Sequence, residues 1–152
     1  MVNTNPIFIL TPNIGKAVWL SSTTANTKND GTGTIGTDIL LVFSAGSNGS
    51  WIEKLRFTPN ASAAATAITP TVIRVYISTQ NSGSTTNANT YRWDEITAPN
   101  PSGGADQATV GTPYLEIPCG FTLPTSNYIL VSMHHAAAAN TSWAITCVGG
   151  DY

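Results

Sequence analysis

Charge is the scarcest commodity in this chain: of 152 residues only six are Lys or Arg and eight are Asp or Glu, giving a net charge of −2 and a pI near 5.4. The basic residues Lys16, Lys28, Lys54, Arg56, Arg74 and Arg92 stand singly. No stripe of positive charge exists to neutralise several phosphates together, so nucleic acid is not expected as a direct partner. Cysteine is almost absent. Cys119 and Cys147 alone make neither a zinc site nor a dense disulfide framework. They are read as free structural thiols, with a single bridge as the alternative. Long apolar runs are missing too, and nothing approaches the roughly 18 residues a membrane-spanning helix requires. Ile7 to Leu10 is too short for a secretion signal and lacks a basic leader. The expectation is therefore no membrane partner and a chain that is made and assembled in the cytoplasm. Helical patterning is also lacking: the Ala-rich stretches Ala61–Ala67 and Ala136–Ala139 carry no 3.6-residue apolar stripe, leaving at most a helical turn at Ala61–Ala67.

What the chain has in quantity is Ser, Thr and Asn, 49 residues together, between short apolar runs. At 152 residues it is one domain in size, long enough to bury a core without disulfide or metal. Eight strand-like runs recur: Ala17–Ser22, Asp38–Ala45, Trp51–Thr58, Thr71–Thr79, Thr90–Ile96, Tyr114–Ile117, Asn127–His134 and Ser142–Val148. The fold class expected is all-β, an antiparallel β-sandwich. Ser47-Asn48-Gly49-Ser50 has the composition of a type I′ turn, which predicts that the runs on either side pair as a hairpin. In the second of these runs Trp51, Leu55 and Phe57 are expected to oppose Lys54 and Arg56. Ile73, Val75 and Ile77 alternate with Val72, Arg74 and Tyr76, as a half-buried strand does. Tyr128, Leu130 and Ser132 alternate with Ile129, Val131 and Met133, a run apolar on both faces for part of its length; one face is assigned to the core and the other to an interface. Long polar loops at Thr23–Gly36, Asn81–Asn89 and Pro99–Thr112 are expected to cluster at the ends of the sandwich. Residues 1–12 read as an extended arm, with Pro6 and Pro12 opposing regular pairing, followed by one sandwich domain over 13–152.

Reactive groups are few and poorly arranged. His134 and His135 are adjacent, so in a strand they point to opposite faces and do not clasp one metal. Asp94-Glu95 is the only adjacent acidic pair, and alternation splits it as well. No Gly-x-Ser-x-Gly elbow supports a nucleophile. Asp30-Gly31-Thr32-Gly33-Thr34-Ile35-Gly36 has the glycines of a phosphate loop but no Lys and no following helix, and its single carboxylate is short of a calcium site. Trp19, Trp51, Trp93 and Trp143 read as core or subunit-interface residues, the other reading being an exposed sugar-stacking platform. Three Asn-x-Ser triplets, at Asn48, Asn60 and Asn140, carry no weight in so Ser-, Thr- and Asn-rich a chain. No catalytic, cofactor or metal residue is expected.

Asn3-Thr4-Asn5-Pro6-Ile7-Phe8, then Thr11-Pro12-Asn13-Ile14-Gly15, then Thr24-Ala25-Asn26-Thr27 with Asp30-Gly31-Thr32-Gly33-Thr34, resemble a family of small tailed-phage virion proteins. Ala45-Gly46-Ser47-Asn48-Gly49-Ser50 with Ile52-Glu53-Lys54-Leu55-Arg56-Phe57, and the terminal Val148-Gly149-Gly150-Asp151-Tyr152, carry the resemblance over nearly the whole chain. Insertion-like stretches at Ala61–Pro70 and Pro99–Asp106 depart from it. The resemblance implies a capsid decoration (cement) protein with a jelly-roll-like sandwich, commonly trimeric, on the capsid exterior. Its partners would be the major capsid protein and copies of itself. Low surface charge fits a domain packed against an assembly. Candidate contacts are Pro6, Ile7, Phe8 and Ile9 of the arm, with Tyr76 and Tyr128 outward on their strands. The rival expectation is a receptor- or glycan-binding module of a tail fibre or head fibre; an enzyme ranks below both.

Overall fold

Runs of β-branched and aromatic residues, broken every few positions by Gly, Pro or Asn, produce strands because such side chains fit a pleated, half-buried surface. The computed structural model describes residues 9–15, 17–21, 25–61, 70–99, 114–137 and 141–152. Every regular element among them is extended. In chain order these are β1 (Thr11–Ile14), β2 (Val18–Leu20), β3 (Gly33–Thr34), β4 (Leu40–Ser44), β5 (Ser50–Ala61), β6 (Thr71–Ser78), β7 (Ser84–Thr85), β8 (Thr90–Ala98), β9 (Leu115–Leu123), β10 (Tyr128–Met133) and β11 (Thr141–Asp151).

One sheet runs β1-β11-β5-β9, with β2 also on β11, and a second runs β4-β10-β6-β8; all pairings within both are antiparallel. β1 lies opposite residues 148–151 of β11 and β2 opposite 143–145, so the two are halves of one edge strand, broken near Gly15. Counted that way, eight long strands occupy the two sheets in the order first-eighth-third-sixth and second-seventh-fourth-fifth, which is the order of a jelly roll. The expected sandwich is therefore present, and a third, two-stranded sheet of β3 and β7 is added to it.

The core is the inward row of both sheets. Phe57, Leu55 and Ile52 on β5, Trp143, Ile145 and Cys147 on β11, Ile73 and Val75 on β6, and Ile129, Val131 and Met133 on β10 join one buried cluster. The alternation expected of Ile73, Val75 and Ile77 holds. That of β5 is interrupted: Ile52 pairs Gly149 and Phe121, Lys54 pairs Val148 and Pro118, and Glu53 is the unpaired residue of a bulge. The bulge shifts the inward parity from Leu55 to Ile52 and places Trp51, expected inside, on the outer face. Gly120 on the neighbouring strand supports the same irregularity with a φ of 65°.

Three further expectations are corrected. The runs on either side of Ser47–Ser50 do not pair, since β4 and β5 belong to different sheets. The turn there closes with the Gly49 N–H donating to the Gly46 carbonyl at 3.0 Å, and Gly49 alone takes positive φ, whereas a type I′ turn needs two consecutive such residues. The arm ends earlier than position 12: the Leu10 N–H donates to the Asp151 carbonyl, and Pro12 sits inside β1, tolerated because that strand is an edge. The loops around residues 25–39 and 81–89 do more than gather at the ends of the sandwich. They pair through β3 and β7 and cover the outer face of the four-stranded sheet, enclosing Ile39, Tyr76 and Leu130 in a second cluster. Most of the Pro99–Thr112 loop and of the Ala61–Ala67 turn lies outside the described residues.

Cys147 on β11 and Cys119 on β9 are separated by β5, about 9.5 Å at two strand spacings. A disulfide spans at most about 7 Å between Cα atoms, so these thiols do not bridge within one chain. Burial pushes the Cys119 thiol up to about 11 and Cys147 further in the same direction. Both should resist thiol reagents at pH 8 in the native protein and react promptly in denaturant; rapid native labelling of Cys147 would contradict the fold. Trp143 is fully buried, with no hydrogen-bond partner for its indole N–H among the described residues. Trp143→Ala should lower stability by about 3–5 kcal/mol in urea unfolding. Trp143→Phe should cost clearly less, since it also deletes an unpaired buried donor.

Candidate docking face

The two outer faces of the sandwich have opposite fates. On the four-stranded sheet, the segment after Ala25 is pinned down: Arg74 donates through Nη1 to the Asn26 and Lys28 carbonyls at 3.2 and 3.1 Å, and the Asn26 N–H donates to the Met133 carbonyl at 2.8 Å. Thr85 Oγ1 donates to the Gly31 carbonyl at 2.6 Å, tying β7 to the same segment. Beneath this cover Tyr76 is fully buried and its hydroxyl lies 3.0 Å from Ser132 Oγ. Tyr76, expected at a subunit or capsid contact, therefore has no surface to offer a partner. The second apolar face of the β10 run is likewise covered by the chain itself, which corrects its assignment to an interface. Tyr128 is half-buried against the same cluster, and its hydroxyl accepts from Asn81 Nδ2 at 3.3 Å.

The five-stranded sheet has no such cover among the described residues. Antiparallel partners share a face, so Ile14 opposite Val148 and Trp19 opposite Ala144 stand on the outer side, away from the inward Trp143, Ile145 and Cys147. Leu10 and Pro12 continue that parity. Leu10 is 76% exposed, Ile14 71%, Trp19 50% and Ile9 42%. Ile9 lies across Gly150, where a Cβ would overlap its side chain, and an added Cβ at Gly149 would collide with the Trp51 carbonyl. The Gly-Gly pair thus lets the chain ends approach closely enough to carry this row. Ile9 was anticipated as a contact and Trp19 as a core or subunit-interface residue; Leu10 and Ile14 were not. Alternation cannot find them, because it gives parity but not which face stays uncovered. Pro6, Ile7 and Phe8 lie outside the described residues.

Farther across the same face the surface becomes charged. Glu116 on β9 meets Lys54 Nζ at 3.0 Å and Arg56 Nε at 3.1 Å, and the Arg56 guanidinium sits 4.0 Å over the Tyr114 ring. The Lys54 contact, with a lesser one from Arg56, holds the Glu116 carboxyl below its ordinary range against the opposing effect of desolvation. Whatever this cluster adds to stability is present above the unfolded-state value and is lost as pH falls through the folded one. Such exposed pairs fix position more than they stabilise.

The remaining candidates are engaged structurally. Past the end of β10 the His134 and His135 rings touch edge to face, 4.4 Å apart, instead of pointing to opposite sides, because the chain has left the strand. His134 Nδ1 is 3.3 Å from Arg74 Nη2. Asp94 accepts from the Glu95 N–H, and Glu95 meets Arg92 at 2.9 Å. Thr32 donates to Asp30 from its N–H and its hydroxyl, which lowers the carboxyl's pKa. Among the described residues no three His, Cys, Asp or Glu side chains gather as metal ligands. Trp93 packs on Phe121 at 4.9 Å, joining the two sheets at the side opposite β1. No protein-family model, curated protein or solved structure matches the chain.

Proposed function

We propose that this protein is a non-enzymatic structural component of a tailed-phage virion, a decoration protein that grips the head exterior with the outer face of its five-stranded sheet. The observation that carries the reading is the exposed row Ile9, Leu10, Ile14 and Trp19 on a chain with so few charges. Contiguous apolar surface of this kind is a liability for a free monomer and an asset at an interface. The adjoining Lys54–Glu116–Arg56 cluster supplies a polar rim, as interfaces commonly have. Pro6-Ile7-Phe8 runs directly into the row in sequence and extends its apolar character. Jelly rolls recur in viral shells, which is support by analogy of fold alone. On this reading the partners are the major capsid protein and other copies of the chain, arranged as a trimer, and repeated buried area holds the shell without chemistry.

Immunogold labelling of virions should decorate head faces; label confined to tail tips would overturn the reading in favour of the fibre module. Heads stripped of the protein should bind it again in co-sedimentation. The variant Leu10→Asp/Ile14→Asp/Trp19→Ala should bind at least about tenfold more weakly, a loss of about 1.4 kcal/mol or more. Its melting temperature should stay close to that of the wild type, because all three side chains are half or more exposed. Equal binding by the variant would sink the docking face.

A further inference from the structure

A second surface feature lies on the other sheet and shares no residue with the docking face. At one end of the sandwich a cleft of about 200 Å³ opens between β6, β8 and the chain entering β10. Its apolar floor is Ile77 and Tyr91, which are register partners on the inward side of the four-stranded sheet. Ile77 is buried in the core, yet Tyr91 is 58% exposed, since the facing sheet does not reach over it. The polar lining includes Thr79, Asn87, Asn89 and Asn127.

These polar groups are only partly used. Asn89 Oδ1 accepts from the Thr86 N–H and the Thr90 hydroxyl, and Asn127 Nδ2 donates to the Thr125 carbonyl, which leaves the Asn89 amide N–H groups and Asn127 Oδ1 without a bond to the described residues. The Asn87 amide and the Tyr91 hydroxyl make no hydrogen bond to the described residues. No charged side chain lines the cleft. An aromatic face beside unspent amide donors and acceptors, without charge, matches one ligand chemistry: a ring with a weakly positive C–H face and hydroxyls at its rim. The negative face of the Tyr91 ring attracts the C–H side. Asn87, Asn89 and Asn127 offer both donors and acceptors to the hydroxyls.

We propose that this cleft binds one residue of a neutral saccharide, with Tyr91 as the stacking platform and Asn87 and Asn127 as hydroxyl partners. Anionic sugars are disfavoured because the cleft supplies no cation to pair with them. The inference does not depend on the docking reading, and head binding can stand or fall without it.

Titration of the 15N-labelled protein with galactose, mannose and N-acetylglucosamine, followed by amide spectra, tests it, with sialic acid as the charged control. Saturable shifts confined to Thr79, Asn87–Tyr91 and Asn127 are expected for at least one neutral sugar, in the millimolar range, and none for sialic acid. Tyr91→Ala should weaken binding at least about tenfold while Tyr91→Phe keeps most of it. Asn87→Ala, an exposed loop change that spares the core, should also weaken it. Absence of saturable shifts with all three sugars, shifts mapping elsewhere, or unaltered affinity in Tyr91→Ala would each overturn the proposal.

Discussion

Trp143, Ile145 and Cys147 on β11 and Ile129, Val131 and Met133 on β10 belong to one buried cluster, and through it the two sheets share a single interior. Each such side chain contributes about 1.5–3 kcal/mol by leaving water. With two separated thiols and, among the described residues, four ion pairs that each have at least one solvent-accessible partner, the chain relies little on such links. The inward parity of β11 therefore cannot slip: a shift of one residue would turn Trp143 to solvent and bury Thr146 instead. β11 also carries β5 along one side and both β1 and β2 along the other, so the register that fixes the core fixes the edge row as well.

Because one face of each sheet is consumed by that interior, the character of the molecule is decided by the other two. The four-stranded sheet spends its outer face on the protein's own chain. Tyr76 and Leu130 are apolar enough to need covering, and the ribbon of β3 and β7 covers them with Ile35 and Ile39 while Arg74 holds the backbone of Asn26 and Lys28. The five-stranded sheet leaves exposed residues of the same apolar kind. The molecule thus has a finished back and an unfinished front. On the proposed reading this front lies against a partner surface and the back faces water.

Much of the frame was legible in the residues. Ile73, Val75 and Ile77 declared a buried face by alternation, and most strand centres fell where β-branched runs stood between turn residues. What was illegible depended on contacts distant in sequence. Gly46–Gly49 has hairpin composition, but a sheet-to-sheet crossing uses the same residues, and only the pairing of β4 with β10 and of β5 with β11 distinguishes them. The bulge at Glu53 breaks parity with no signal in β5 itself; its nearest trace is Gly120 on β9. β3 and β7 are two residues each, below any periodicity, and the loops that carry them read as polar because their apolar anchors are only Ile35 and Ile39. Tyr76 was misplaced for that reason: its parity was right and its cover was invisible. The same blindness hid Leu10 and Ile14, whose interest lies in what fails to cover them.

The chemistry of the individual groups points the same way as the packing. A thiolate is the reactive form of cysteine, and burial holds both thiols protonated through the neutral range. His134 is occupied at Nδ1 by Arg74, Asp30 by Thr32, and Glu116 by Lys54 and Arg56. These groups spend their bonding capacity on the fold. Among the side chains that keep capacity to spare are the apolar row on the front and the uncharged rim around Tyr91. Both can hold on to something, the first by excluding water over an area and the second by matching hydroxyls one at a time. Groups of this kind suit the adhesion proposed above, whose strength would come from how many copies grip at once.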